Sequence, residues 1–146
     1  MSTTEAPAAA LTSVETLRTF ALAGKARFTL RSKRTGVRFT FKVTQKGEGA
    51  PHFVSLLTGS NNEADYAFLG TVFEGKTFKL SPKSRIGAGA PSAKAFAWLW
   101  LGLGQGVLSE QVEVWHEGRC GRCNRLLTTP ESVERGLGPE CVKHAH

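Results

Sequence analysis

The residues whose types and spacing carry the most chemistry are three cysteines, Cys120, Cys123 and Cys141. Cys120 and Cys123 stand three positions apart in a turn-like stretch that also holds Gly121. Their thiolates can therefore converge on one tetrahedral ion at about 2.3 Å from each sulfur. Cys141 arrives 18 positions after Cys123, behind the Gly-x-Gly-Pro turn at 136–139. That separation closes a structural zinc site from its second half. An odd number of cysteines, in a chain whose first residues do not read as an export signal, makes a disulfide framework a poor explanation.

The fourth ligand has two candidates. His144 completes a C-x2-C…C-x2-H pattern, in which Cys141 and His144 sit within one helical turn. His116 lies four residues before Cys120, where a strand ending at Trp115 delivers its imidazole from the opposite side. Other uses of the cysteines fit less well. A Gly/Arg-rich turn offers no apolar packing to a buried thiol pair, and a redox C-x-x-C needs a strand-to-helix setting that the residues after Cys123 do not provide. Catalytic zinc keeps a position open for water with an acid or base beside it, and none is evident. No phosphate-binding glycine loop, H-E-x-x-H or nucleophile motif is present. One structural Zn2+ in a non-enzyme is the expectation, with His52 and the scattered carboxylates as ordinary surface or turn residues.

The second chemical feature is charge. Net charge is +7, and residues 27–46 hold Arg27, Arg31, Lys33, Arg34, Arg38, Lys42 and Lys46 with no acid. Residues 47–75 reverse the balance with Glu48, Glu63, Asp65 and Glu74, so the field is polarised. A hydrophobic content of 40% and a charged content of 21% across 146 residues suit one packed domain. The most apolar stretch, 95–103, is about half the length that crosses a bilayer, so no membrane association and a cytoplasmic location are expected.

The elements that must position these groups follow from periodicity. Residues 1–11 read as a disordered tail. Thr12 or Ser13 caps a helix through Val14, Leu17 and Leu22, stopped by Gly24. From Ala26 the period changes to two: Phe28, Leu30, Val37, Phe39, Phe41 and Val43 alternate with polar residues around a turn at Arg34, Thr35 and Gly36. If those apolar side chains face the core, Arg27, Arg31, Lys33, Arg38 and Lys42 share the other face with Thr29, Thr40 and Thr44. Further strands are expected at 52–58, 66–73 and 77–80, giving an antiparallel meander of about five. A Gly/Pro/Ser-rich loop then leads to a helix over 93–103 capped by Ser92. Its residues Phe96, Trp98, Leu99, Trp100, Leu101 and Leu103 are apolar nearly all round, which demands burial on more than one side. Part of that surface, through Phe96, Trp98 and Trp100, is also a candidate for self-association. A last strand at 111–115 leads into the cysteines. The fold class is thus α+β: a basic hairpin at 27–46 within a domain at 12–110, followed by a zinc-knuckle module at 111–146.

Residues 120–141 resemble a family of small zinc-binding phage, prophage and mobile-element proteins of unassigned biochemical role. Its signature is close to Cys-Gly-Arg-Cys-Gly-Arg-x-Leu-Thr-x-Pro-Glu-Ser-(Ile/Val)-x-x-Gly-(Ile/Leu)-Gly-Pro-x-Cys, and Asn124 replaces the glycine after the second cysteine. The resemblance implies zinc and a mobile-element setting inside a bacterial host cell. It also places His116 slightly ahead of His144, because relatives of this type often end soon after the third cysteine without a histidine at the matching place, while the His-Glu-Gly-Arg-Cys approach recurs.

Two functions are then in view. In the first, the basic hairpin face binds DNA or RNA phosphates, with Arg119, Arg122 and Arg125 around the zinc turn as a second contact. In the second, the chain is a non-enzymatic inhibitor or adaptor docking on a host or phage protein of defence or replication. The ordinary reading of the hairpin cations is a solvated sheet face with edge protection.

Overall fold

Local sequence accounts for the first helix. In this computed structural model, which describes residues 10–11, 13–47, 49–59, 65–87 and 89–116, α1 spans Val14–Ala21. Ser13 caps it, its Oγ accepting from the Thr16 N–H at 3.1 Å, and Glu15 sits in the first turn against the positive helix end. The helix buries Leu17, Phe20 and Ala21, and Gly24 at φ +121° turns the chain into the sheet.

Five strands follow as a meander: β1 at Lys25–Ser32, β2 at Arg38–Gln45, β3 at His52–Leu57, β4 at Tyr66–Phe73 and β5 at Thr77–Leu80. Then come α2 at Pro91–Gly104 and β6 at Val112–His116. The strand β6 pairs antiparallel with β1 rather than extending the meander, so the sheet has six strands in the order β5-β4-β3-β2-β1-β6. The fold is α+β.

Alternation decides which side chains meet the helices. Ala26, Phe28 and Leu30 of β1 face Val43, Phe41 and Phe39 of β2, and these six belong to or pack on the one core. Phe96 of α2 sits at its centre, with ring centroids 5.0 Å from Phe41, 4.8 Å from Phe78, 6.4 Å from Phe28 and 5.8 Å from Trp100. Both helices contribute to this one cluster, so they cover the same sheet face. The other face carries no buried residue among those described.

Several sequence expectations need correction. Ser92 does not cap α2; Ala90 holds the cap without a side-chain bond and Ser92 is buried. Pro91 opens the helix instead, since its fixed φ and missing N–H suit the first position. The helix is not buried all round: Ala93, Phe96, Leu99, Trp100 and Leu103 are inside, whereas Trp98 is 50% and Leu101 64% exposed. With Phe96 and Trp100 in the core, Trp98 alone of that aromatic trio reaches the surface. Val37 precedes β2 and is exposed, in the turn where its carbonyl accepts from the Ser32 N–H at 2.9 Å. His52 is buried, its Nε2–H donating to the Leu22 carbonyl at 3.0 Å and tying the end of α1 to β3. Among the described residues, no helix is long and apolar enough to cross a membrane.

One irregularity matters more than the rest. In β4, Phe68 pairs with Ser55 and Gly70 with Val54, leaving Leu69 as an extra residue. This bulge reverses the facing of the strand partway along. Tyr66 and Phe68 therefore point to the open face while Gly70 and Val72 point inward, although strict alternation would keep all four together. A Cβ at Gly70 would collide with the Lys79 carbonyl oxygen and the Phe78 ring, so only glycine fits where β5 closes over the bulge.

Candidate nucleic-acid interface and metal ligand

The open face is built by the polar half of each alternating strand. On β1 it presents Lys25, Arg27, Thr29 and Arg31, and on β2 Arg38, Thr40, Lys42 and Thr44. Register puts Arg27 directly opposite Lys42 and Arg31 directly opposite Arg38. Like charges facing each other across a ladder destabilise it. Between the two pairs, the Thr29 and Thr40 hydroxyls hydrogen-bond at 2.7 Å.

Each cationic pair has a local compensation. On the β6 side, Glu113 pairs in register with Arg31 and its Oε1 accepts from Arg31 Nη1 at 3.0 Å. On the β4 side, Tyr66 lies beneath Lys42, whose Nζ stands 4.4 Å from the ring centroid, with the Arg27 guanidinium at 5.9 Å. Both distances lie in the range where a ring's negative face attracts a cation. Lys79 of β5 similarly stands 6.0 Å from the Phe73 ring.

The structure thus brings Arg27, Arg31, Arg38 and Lys42 together on one face. Lys33 and Arg34 lie off it, in the exposed turn after β1, where the Lys33 N–H donates to the Gln111 carbonyl at 2.9 Å. Sequence reading missed Glu113, which is 82 residues from Arg31, and the aromatic side chains Phe53, Tyr66, Phe68 and Phe73 that share the face. A signal existed for Phe53: each alternating set of residues 52–57 holds two apolar side chains, Val54 and Leu56 in one and Phe53 and Leu57 in the other, the mark of a strand whose outer side is not simply solvated.

Of the metal candidates, His116 is the last described residue. It ends β6 opposite Phe28, is buried, and its ring lies 5.5 Å from that of Phe20 under α1. A buried imidazole fixed at a strand end is a suitable single donor, since its position is already set before any ion binds. Cys120, Cys123, Cys141, His144, Arg119, Arg122 and Arg125 lie outside the described residues. Among the described residues, no three ligating side chains cluster to hold a metal.

Comparison with known proteins bears on this second half. Residues 114–146 are similar to a family of unknown function (DUF6011), a match that takes in the end of β6 and all three cysteines. No curated protein and no solved structure matches the chain.

Proposed function

We propose that this chain is a zinc-stabilised, non-enzymatic nucleic-acid-binding protein of a phage or mobile element, gripping phosphates on the open face of β1 and β2. The observation that carries the reading is the pair of like-charge cross-strand partners, Arg27 with Lys42 and Arg31 with Arg38, on a face that neither helix covers. Edge protection does not require this arrangement, because β1 and β2 are interior strands flanked by β6 and β3. Glu113 offsets the charge of Arg31 and the Tyr66 ring that of Lys42, but the four cations still give the face a net positive charge suited to an anionic polymer, and the Thr29 and Thr40 hydroxyls add donors for phosphate oxygens. The zinc reading is supported by the Cys120, Cys123 and Cys141 spacing and by His116 at the end of β6. Under it, residues 111–146 form a metal-held unit and Arg119, Arg122 and Arg125 supply a second phosphate contact.

The test is fluorescence anisotropy of a labelled oligonucleotide with wild type and with the Arg38→Glu/Lys42→Glu variant. Arg31 is left intact, since Arg31→Glu would set two carboxylates face to face with Glu113. Binding that the double variant abolishes at unchanged melting temperature supports the reading; equal binding by both proteins sinks it.

A second reading, a protein-docking inhibitor or adaptor, is favoured by one observation. Trp98, Leu101, Val107 and Val37 are exposed around α2 and the β1–β2 turn, beside a recess lined by Leu30, Phe39, Ala95 and Val112. Val37 and Trp98 line that recess and Trp98, Leu101 and Val107 line a second one, and apolar side chains exposed in this way suit a protein partner or a second copy. In that case Trp98→Ser abolishes function in infected cells, whereas Arg38→Glu/Lys42→Glu leaves it intact.

A further inference from the structure

We infer that the ligand of the open face is a single-stranded nucleic acid, with phosphates on the β1–β2 cations and bases stacked on the aromatic side chains of β3 and β4. This deepens the proposed function and rests on it. A β-ribbon reads duplex DNA by entering a major groove about 12 Å wide. Here the basic hairpin is not a free ribbon: β6 and β3 flank it, and six strands at about 4.8 Å spacing make a platform roughly 24 Å across. Such a face cannot enter a groove.

One line across the sheet runs Arg27, Lys42, Ser55, Phe68, and the neighbouring line runs Lys25, Thr44, Phe53, Thr71, Lys79. Each line leads from a cation on β1 to an aromatic ring one or two strands beyond β1–β2. From β2 to β4 is two strand spacings, roughly 10 Å between backbones, and the Lys42 ammonium reaches across to within 4.4 Å of the Tyr66 ring, so cations and rings lie within reach of one nucleotide. Phe53 and Phe68 meet edge to face with centroids 6.0 Å apart, and Phe68 and Phe73 are 36% and 44% exposed. Large aromatic side chains left in solvent beside a row of cations are the two components of single-strand recognition: an electrostatic track for the backbone and rings for stacking. The bulge at Leu69 is what puts Phe68 on this face.

The experiment uses the full chain and labelled oligo-dT and oligo-rU of about 15 nucleotides, beside a duplex of the same length, at about 50 mM salt. The expected result is tighter binding to the single strands, the two oligomers separating DNA from RNA preference. Phe68→Leu and Phe53→Leu, which keep apolar bulk and remove the ring, each weaken single-strand binding by about 5- to 150-fold with little change on duplex and no change in salt slope. Duplex binding as tight as single-strand binding, or Leu variants that bind like wild type, overturns the inference while leaving the basic-face reading standing. Absence of binding to any of the three polymers overturns both. Hydroxyl-radical footprinting gives an independent check: Phe53, Phe68 and Phe73 as protected in the free chain as the core residues Phe28 and Phe41 would mean that the face is already covered.

Discussion

Binding on the open face should depend steeply on salt. Besides Arg31, which Glu113 holds, and Arg27, which also has partners, four cations stand on the face: Lys25, Arg38, Lys42 and Lys79. If each neutralises one phosphate of a single strand, the logarithm of affinity falls against the logarithm of salt with a slope of about −2.8. Raising salt fourfold, from about 50 to about 200 mM, then weakens binding about 50-fold. The Arg38→Ala/Lys42→Ala variant keeps two of these cations, so its slope becomes about −1.4 and the same change of salt costs only about 7-fold. The fold should tolerate the change. Lys42 gives up a cation–π contact of about 0.5–1 kcal/mol with Tyr66, but removing Arg38 and Lys42 also relieves both like-charge pairs. Anisotropy titrations across a salt series, with a thermal melt of each protein as control, measure both quantities. A slope that stays the same in the variant refutes the reasoning, because the affinity would then come from contacts elsewhere on the chain.

Three further outcomes are expected. Glu113→Gln frees Arg31 to meet phosphate, so nucleic-acid binding tightens and the salt slope steepens by about 0.7, with a loss of stability no greater than about 1 kcal/mol for a partly exposed pair; weaker binding would contradict the proposed face. Gly70→Ala forces the new methyl into the Lys79 carbonyl and the Phe78 ring and destabilises the fold by about 1–3 kcal/mol in a denaturant melt, and a neutral result would mean that β5 does not close over the bulge as described. Purified chain should contain one zinc per molecule by elemental analysis; Cys120→Ser and Cys141→Ser should remove it, and His116→Asn should weaken zinc binding more than His144→Ala does. Metal-free wild type that keeps the same amide-exchange protection in residues 111–146 as the metal-loaded form would end the structural-zinc proposal.

Much of the fold was legible because period-2 alternation is a local property. Phe28 and Leu30 against Phe41 and Phe39 announce an antiparallel hairpin, and Ser13 before Glu15 announces a helix start, without reference to anything distant. The α2 cap was misread because two local signals competed: Ser92 is a good capping residue, but Pro91 before it fixes the helix start, and the hydroxyl goes inside. The exposed side of α2 was misread for a different reason. Composition says that Trp98 and Leu101 are apolar, but only the extent of the sheet beneath them decides whether anything is there to cover them.

The candidate face was half legible. Arg27, Arg31, Arg38 and Lys42 on one side of a hairpin follow from alternation alone, while the proposed zinc ligands Cys120, Cys123 and Cys141 rest on their sequence spacing and lie outside the described residues. What only the tertiary structure decided is the neighbourhood of that hairpin. The return of β6 to β1 sets Glu113 beside Arg31, and the extra residue Leu69 turns Tyr66 and Phe68 onto the cationic side. Both are long-range pairings, whose register depends on the fit of whole strands in the core and not on the residues that end up adjacent on the surface.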